Sequence, residues 1–266
     1  MVPLQRRPAI ATLAAALLLP CSVHVAAEDG LRALTGPDSP LRKGDTVAFF
    51  GDSVTLQGDG EKGYIGLLRT AIANAEKTKD LGVRLIGHGL NGGRVPTVLE
   101  GKSPWGDIGG KMEDLLKKES PTVVVVFLGI NDVWHGEKGT SAKDFEAGLR
   151  TMLELVSKVG AIPVLCTPPG IGEEPHGKNP IDKQFDEYCG IIRTLAKEKK
   201  VALCDVRAAF GERLKKESDK VGSGEEKDHG ILTYDGVHMI DAGNELIAGE
   251  MARTIAAALA ARSPGR

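Results

Sequence analysis

What this chain of 266 residues lacks narrows its function before any motif is considered. It has no apolar run long enough to span a bilayer. No run of Lys or Arg is long or clustered enough to follow a phosphate backbone, which argues against nucleic acid as a partner. Aromatic residues are 4 % of the chain, too few for a long stacking platform against polysaccharide. There is no internal repeat and no low-complexity segment. The sequence holds no H-x-H or H-E-x-x-H pair that would place two histidines on a metal. It also lacks the G-x-S-x-G elbow of the larger α/β-hydrolase fold.

Cysteine is scarce too, with Cys21, Cys166, Cys189 and Cys204 the whole supply. Cys166 and Cys204 lie in apolar runs and read as buried thiols. What is present is ordinary for a globular enzyme: hydrophobic residues make up 41 % and charged residues 26 %, so disordered and fibrous classes drop out. The length suits one α/β domain.

The N-terminus reads as a secretory signal over residues 1–27. Arg6 and Arg7 form a positive start, Ala9–Leu19 is a short apolar run, and Val25-Ala26-Ala27 offers a small-residue cleavage site before Glu28. An uncleaved anchor is the alternative. Pro20 before Cys21 fits lipoprotein processing poorly, and the twin-arginine pattern is incomplete. Removal of this leader leaves 32 basic against 36 acidic groups, an odd number of cysteines, and residues 28–266 as a single secreted or periplasmic domain without stable membrane insertion.

Beyond the leader the chain alternates strand-like and helix-like stretches. Strands are predicted at Thr46–Phe50, Val83–Ile86, Thr122–Leu128, Ala161–Cys166 and Val201–Cys204. The valine run in the third is apolar throughout, as expected for a parallel strand covered on both faces. Helices are predicted at Gly63–Ala75, Asp107–Lys118, Ser141–Lys158, from Asn179-Pro180 to about Lys199, and from Asp241 to about Ala261. This order means βαβ units and a doubly wound parallel sheet of five strands, an α/β class. The connection Pro168–Lys178 is long for so compact a domain and is a candidate site loop.

Three chemically competent segments directly follow predicted strands, where open α/β sheets bind ligands. Gly51-Asp52-Ser53-Val54 follows the first and can project a serine hydroxyl into a cleft. Gly87-His88-Gly89-Leu90-Asn91-Gly92-Gly93 follows the second, with glycines that let backbone N–H groups approach a ligand. Gly129-Ile130-Asn131-Asp132 follows the third, and an uncharged amide there can donate to a developing oxyanion. A fourth segment, Thr233-Tyr234-Asp235-Gly236-Val237-His238, precedes the final helix. Its carboxylate can hold the imidazole Nδ1–H and leave Nε2 to accept a serine proton.

Each segment has an ordinary alternative. Asp-Ser and Asn-Asp pairs are common in turns. Asp132-x-x-His135 repeats the Asp-to-His spacing and Glu226-x-x-His229 nearly does, so spacing alone leaves His135 and His238 open as the base. Gly87-x-Gly89-x-x-Gly92 matches a dinucleotide fingerprint, but after the second strand, with Pro96 interrupting any helix that starts at Gly92.

The four segments occur in the order and rough spacing of the signature blocks of SGNH (GDSL-like) hydrolases, and Leu232–Gly243 in particular resembles the last block. The resemblance covers residue 46 to about 250. It implies a flavodoxin-like three-layer α/β/α sandwich, and a cofactor-independent serine esterase acting on small acyl esters such as an acetyl group on a carbohydrate. It implies Ser53 as nucleophile, His238 as base, Asp235 as its orienting partner, and an oxyanion hole from the Ser53 N–H, a backbone N–H at Gly92 and the Asn131 amide. Gly87 and Arg94 stand where many members carry Asn and Thr, which leaves Gly93 as a rival to Gly92. Asp52, Trp134 and His135 flank these groups and are candidate substrate contacts. A metal-dependent phosphoesterase using Asp52, Asp132 and Asp235, and a non-catalytic sugar-binding module on the same fold, are the competing functions.

Overall fold

The computed structural model describes residues 22–134, 136–173, 179–216 and 230–262. In chain order the elements are α1 Ser22–Thr35, β1 Thr46–Gly51, α2 Ser53–Gly58, α3 Tyr64–Asn74, β2 Arg84–Gly89, α4 Val95–Glu100, β3 Lys102–Ser103, β4 Gly106–Asp107, α5 Met112–Glu119, β5 Val123–Phe127, α6 Ile130–Trp134, α7 Ala142–Lys158, β6 Ile162–Cys166, α8 Asp182–Lys199, β7 Ala202–Cys204, α9 Val206–Lys216 and α10 Asp241–Ala260.

Five strands form one sheet in the order β2-β1-β5-β6-β7, every neighbouring pair parallel. After β2 the chain returns to the other side of β1, so β1 and β5 flank the point where the winding reverses. Parallel pairing across this sheet requires helical crossovers, which cover both faces. Accordingly α1, α3 and α10 pack together while α7 packs on α4, α5 and α8. Val123, Val124, Val125 and Val126 are all buried, and burying a Val side chain contributes about 1.5–3 kcal/mol. All five predicted strands are present, and Cys166 and Cys204 are buried free thiols at paired positions of β6 and β7.

The sequence reading does not anticipate α1, α2, α4, α6 or α9, and two of the helices it does expect start later than predicted. The stretch expected to be helical from Asp107 begins at Met112 instead. Asp107 pairs in the β3–β4 ribbon and its carboxylate accepts from the Gly109 N–H, so that backbone is committed to a turn. Asn179 opens a turn, its Oδ1 accepting from Ile181 N–H, and α8 starts at Asp182. Ser141 caps α7 as expected, accepting from Asp144 N–H at 3.1 Å.

Pro96 sits in the first turn of α4, where its missing N–H costs nothing. Gly87 and Gly89 lie inside β2, and a Cβ on Gly89 would come within 2.0 Å of the Leu56 nitrogen. That glycine therefore lets α2 pack directly on the strand and does not cradle a phosphate. Helix α1 begins at Ser22, inside the segment read as leader, and its buried residues include both Ala27, the last of that segment, and Leu34 beyond it. Residues 1–21, Cys21 included, lie outside the described residues. No helix among the described residues is long and apolar enough to cross a membrane.

Candidate active site

Ser53 is the first residue of α2, immediately beyond β1. Asp52 caps that helix from extended backbone, its Oδ1 accepting from the Val54 N–H at 2.9 Å. The cap places the Ser53 N–H in the first turn, where no intrahelical carbonyl can reach it.

Expected as a substrate contact, Asp52 is instead 2 % exposed, because its carboxylate is the cap. Burial, opposed by the Val54 N–H and reinforced by nearby Asp132, pushes its carboxyl from 3.8 up to about 7. Raising the folded-state value means the fold holds this proton more tightly than the unfolded chain does. The resulting stabilisation is complete below about pH 4 and is lost as pH rises through 7. Asparagine caps a helix as well as aspartate does but does not ionise. Asp52→Asn is therefore expected to reduce the fall in melting temperature between pH 5 and pH 8. Thermal melts that drop as steeply in the variant as in the wild type would contradict this account.

The second segment brings Gly92 to the cleft with φ 63°. The indole of Trp105 lies over it, so that a Cβ there would sit 2.3 Å from the ring. Both facts restrict the position to glycine. Gly93 N–H is already spent on the Leu90 carbonyl at 2.8 Å. The third segment is stitched to the second at two places. Asn131 Nδ2 donates to the Gly93 carbonyl at 3.1 Å, and Asp132 Oδ1 accepts from Val95 N–H at 3.1 Å. Asp132 is fully buried, which pushes its carboxyl up to about 6.

The fourth segment is a tight turn closed on itself. Tyr234 N–H donates to the His238 carbonyl and Ile240 N–H to the Leu232 carbonyl, both at 3.0 Å. Within it Asp235 Oδ1 accepts from the backbone N–H groups of Val237 and His238, and Oδ2 meets His238 Nδ1 at 2.7 Å. His238 Nε2 is 2.9 Å from Ser53 Oγ. Burial raises the Asp235 carboxyl, but the bonds from His238 and Val237 outweigh it and hold the group below its ordinary value. Asp235 is thus kept ionised beside the ring.

Ser53, His238 and Asp235 therefore meet, although 185 positions separate serine from histidine, and Asn131 is bonded to the glycine segment that holds Gly92. Trp134 is half exposed at the end of α6. His135, Glu226 and His229 lie outside the described residues. Sequence reasoning missed three neighbours. Tyr234 stacks on the His238 ring at 5.8 Å and its hydroxyl accepts from Gln57 Nε2. Trp105 covers Gly92 from the ribbon, and Glu173 reaches the fourth segment from the loop after β6. Only the length of that loop hinted at the last. A cavity of about 600 Å³ borders the loop near Asp182, Arg207 and Phe210, but Ser53, Asn131 and His238 do not line it.

Comparison with known proteins agrees with this architecture. Residues 49–246 match the model of the GDSL-like Lipase/Acylhydrolase family. An acetylxylan esterase of Geobacillus stearothermophilus is 29 % identical over 232 residues, covering 81 % of this chain and 95 % of its own length. The crystal structure of the acetyl xylan esterase AlAXEase aligns with TM-score 0.67 and 36 % identity, over 77 % of this chain and 97 % of that one. The structure of Axe2, an acetylxylan esterase from Geobacillus stearothermophilus, aligns with TM-score 0.64 and 25 % identity, over 81 % and 96 %. The chain belongs to the GDSL-like lipase/acylhydrolase family and is a carboxylic ester hydrolase.

Proposed function

We propose that this protein is an exported serine esterase that removes acetyl groups from carbohydrate, with Ser53, His238 and Asp235 as its triad. The observation that carries the reading is the unbroken relay from Asp235 Oδ2 through His238 to Ser53 Oγ, at 2.7 and 2.9 Å. His238 Nε2 takes the serine proton as Oγ bonds to the ester carbonyl carbon, and Asp235 stabilises the imidazolium. The carbonyl oxygen becomes an oxyanion held by the Ser53 N–H, the Gly92 N–H and the Asn131 amide. His238 returns the proton to the departing sugar oxygen as the acetyl-enzyme forms, and water then repeats the steps to release acetate. Gly92 is favoured over Gly93 because the Gly93 N–H is already bonded to Leu90.

The sugar assignment rests on the acetylxylan esterase relatives and on the rim of the cleft. Leu56, Trp105, Trp134 and Tyr234 are the large hydrophobics exposed among the described residues, and each lies beside a different one of the four segments. Leu56 and Trp134 stand three positions after Ser53 and Asn131, on the same helical faces. A short collar of this kind, with the Tyr234 hydroxyl and Gln57 amide beside it, suits the C–H face and hydroxyls of one sugar ring. Export follows from the leader over residues 1–27, which leaves residues 28–266 as the mature domain; N-terminal sequencing of exported protein should begin at Glu28.

The test is acetate release from acetylated xylo-oligosaccharides by the purified mature protein, beside p-nitrophenyl acetate and with chelator present. Turnover of the nitrophenyl ester without any sugar acetate release would leave an esterase but overturn the carbohydrate substrate. Asn131→Ala is expected to lower kcat about 10²–10³-fold with little change in KM, since the amide acts as charge builds on the oxygen. A defect confined to KM would reassign Asn131 to ground-state binding.

A further inference from the structure

The loop after β6 that the sequence singled out for its length has no part in the triad or the oxyanion hole, yet it is bonded tightly to the segment that carries the base. Glu173 projects a single carboxylate into a concave run of backbone. Its Oε2 accepts from Ile231 N–H at 2.6 Å, and its Oε1 accepts from Leu232 N–H at 2.9 Å and from the Thr233 N–H and hydroxyl at 2.6 Å each. Three consecutive amides aimed at one anion form a nest, an arrangement suited to a charged acceptor. One residue earlier, Gly172 N–H donates to the Gly236 carbonyl at 2.7 Å, within the Asp235–His238 turn itself.

We propose that Glu173 is a positioning residue that sets where His238 stands relative to Ser53. The internal bonds of the turn fix Asp235 against His238, but they hold the pair only to each other. Across to α2, which carries the serine, the turn has, besides the His238–Ser53 contact itself, only the exposed side-chain bond between Tyr234 and Gln57 among the described residues, and a tie to its backbone must come from elsewhere. Glu173 supplies such a tie through the residues that lead into the turn, from a loop anchored at the end of β6 in the same sheet as β1. Without the carboxylate, the amides of Ile231, Leu232 and Thr233 lose their shared acceptor and the turn can drift as a unit. A drift of about 1 Å at the base can cost about 10²-fold in rate. Asp235 and His238 would remain paired, so the lesion would be in the distance to Ser53 and not in the tautomer.

The inference rests on His238 being the base, and a double-mutant cycle separates the two claims. Glu173→Ala, and Glu173→Gln as the variant that keeps one accepting oxygen and the side-chain shape, are each combined with His238→Ala. Turnover of p-nitrophenyl acetate is measured with thermal melts of every protein. In the otherwise wild-type enzyme Glu173→Ala is expected to lower kcat about 10–100-fold with KM within about threefold, and Glu173→Gln to lose less. In the His238→Ala background the same changes should cost nothing further, because a residue acting only through the imidazole has nothing left to act on. An equal loss in both backgrounds would make Glu173 a general structural residue and overturn the proposal. So would full activity of both variants beside an inactive His238→Ala enzyme. An active His238→Ala enzyme would instead overturn the base assignment itself.

Discussion

Ser53→Ala is expected to lower kcat for p-nitrophenyl acetate by about 10⁶-fold, the loss typical of removing a triad nucleophile. Its hydroxyl lies 2.9 Å from His238 Nε2, and in the proposed mechanism the acyl-enzyme cannot form without it. The fold should be unaffected, since the helix is capped by Asp52 and not by the serine. A serine-directed phosphonate should label the wild type at Ser53 alone and leave the variant unmodified. Activity above about a tenth of wild type in a protein with an unchanged melting profile would remove Ser53 from the mechanism.

His238→Ala should be nearly as damaging, at about 10⁴–10⁶-fold, because Ser53 would keep its proton and the leaving oxygen would gain none. At about 1.4 kcal/mol per factor of ten, that is about 5–8 kcal/mol of transition-state stabilisation. The contrast with His135→Ala is the discriminating part. Sequence spacing offers Asp132-x-x-His135 as an equal triad, but Asp132 is buried and its Oδ1 is bonded to the Val95 N–H. His135→Ala is expected to keep most activity, with any change confined to substrate preference. Kinetics showing a dead His135→Ala enzyme beside an active His238→Ala enzyme would move the triad to the loop after β5.

Much of this protein was legible from residues alone, and the reason is local. The valines of β5 are apolar without alternation, which only a strand covered on both faces explains. The periodicity of α7 and its Ser141 cap are short-range properties, readable within one window. The strand-end positions of Ser53, Gly92 and Asn131 follow from strand order, which in parallel sheets is constrained by the handedness of crossovers. Less legible were the short helices α2, α4 and α6, each too brief for a periodic signal, α9, whose buried residues form only a narrow stripe on a charged helix, and the start of α5, where the β3–β4 ribbon competes for Asp107.

The sequence by itself determined the fold class and the set of chemically competent segments, and the family resemblance supplied the order of the proposed triad. It could not weigh His238 against His135 on physics, because equal spacing along a chain says nothing about which ring meets a serine 185 positions away. Nor could it show Asp52 turned inward as a cap, Trp105 laid over Gly92, or Glu173 seated in the amides of 231–233. Those are outcomes of packing between elements far apart in the chain: the sheet order brings β1 beside β5, and the loop after β6 folds back on the turn before α10. Local propensity acts over a few residues, whereas the distance from base to nucleophile is set only when the elements bearing them are packed in one body.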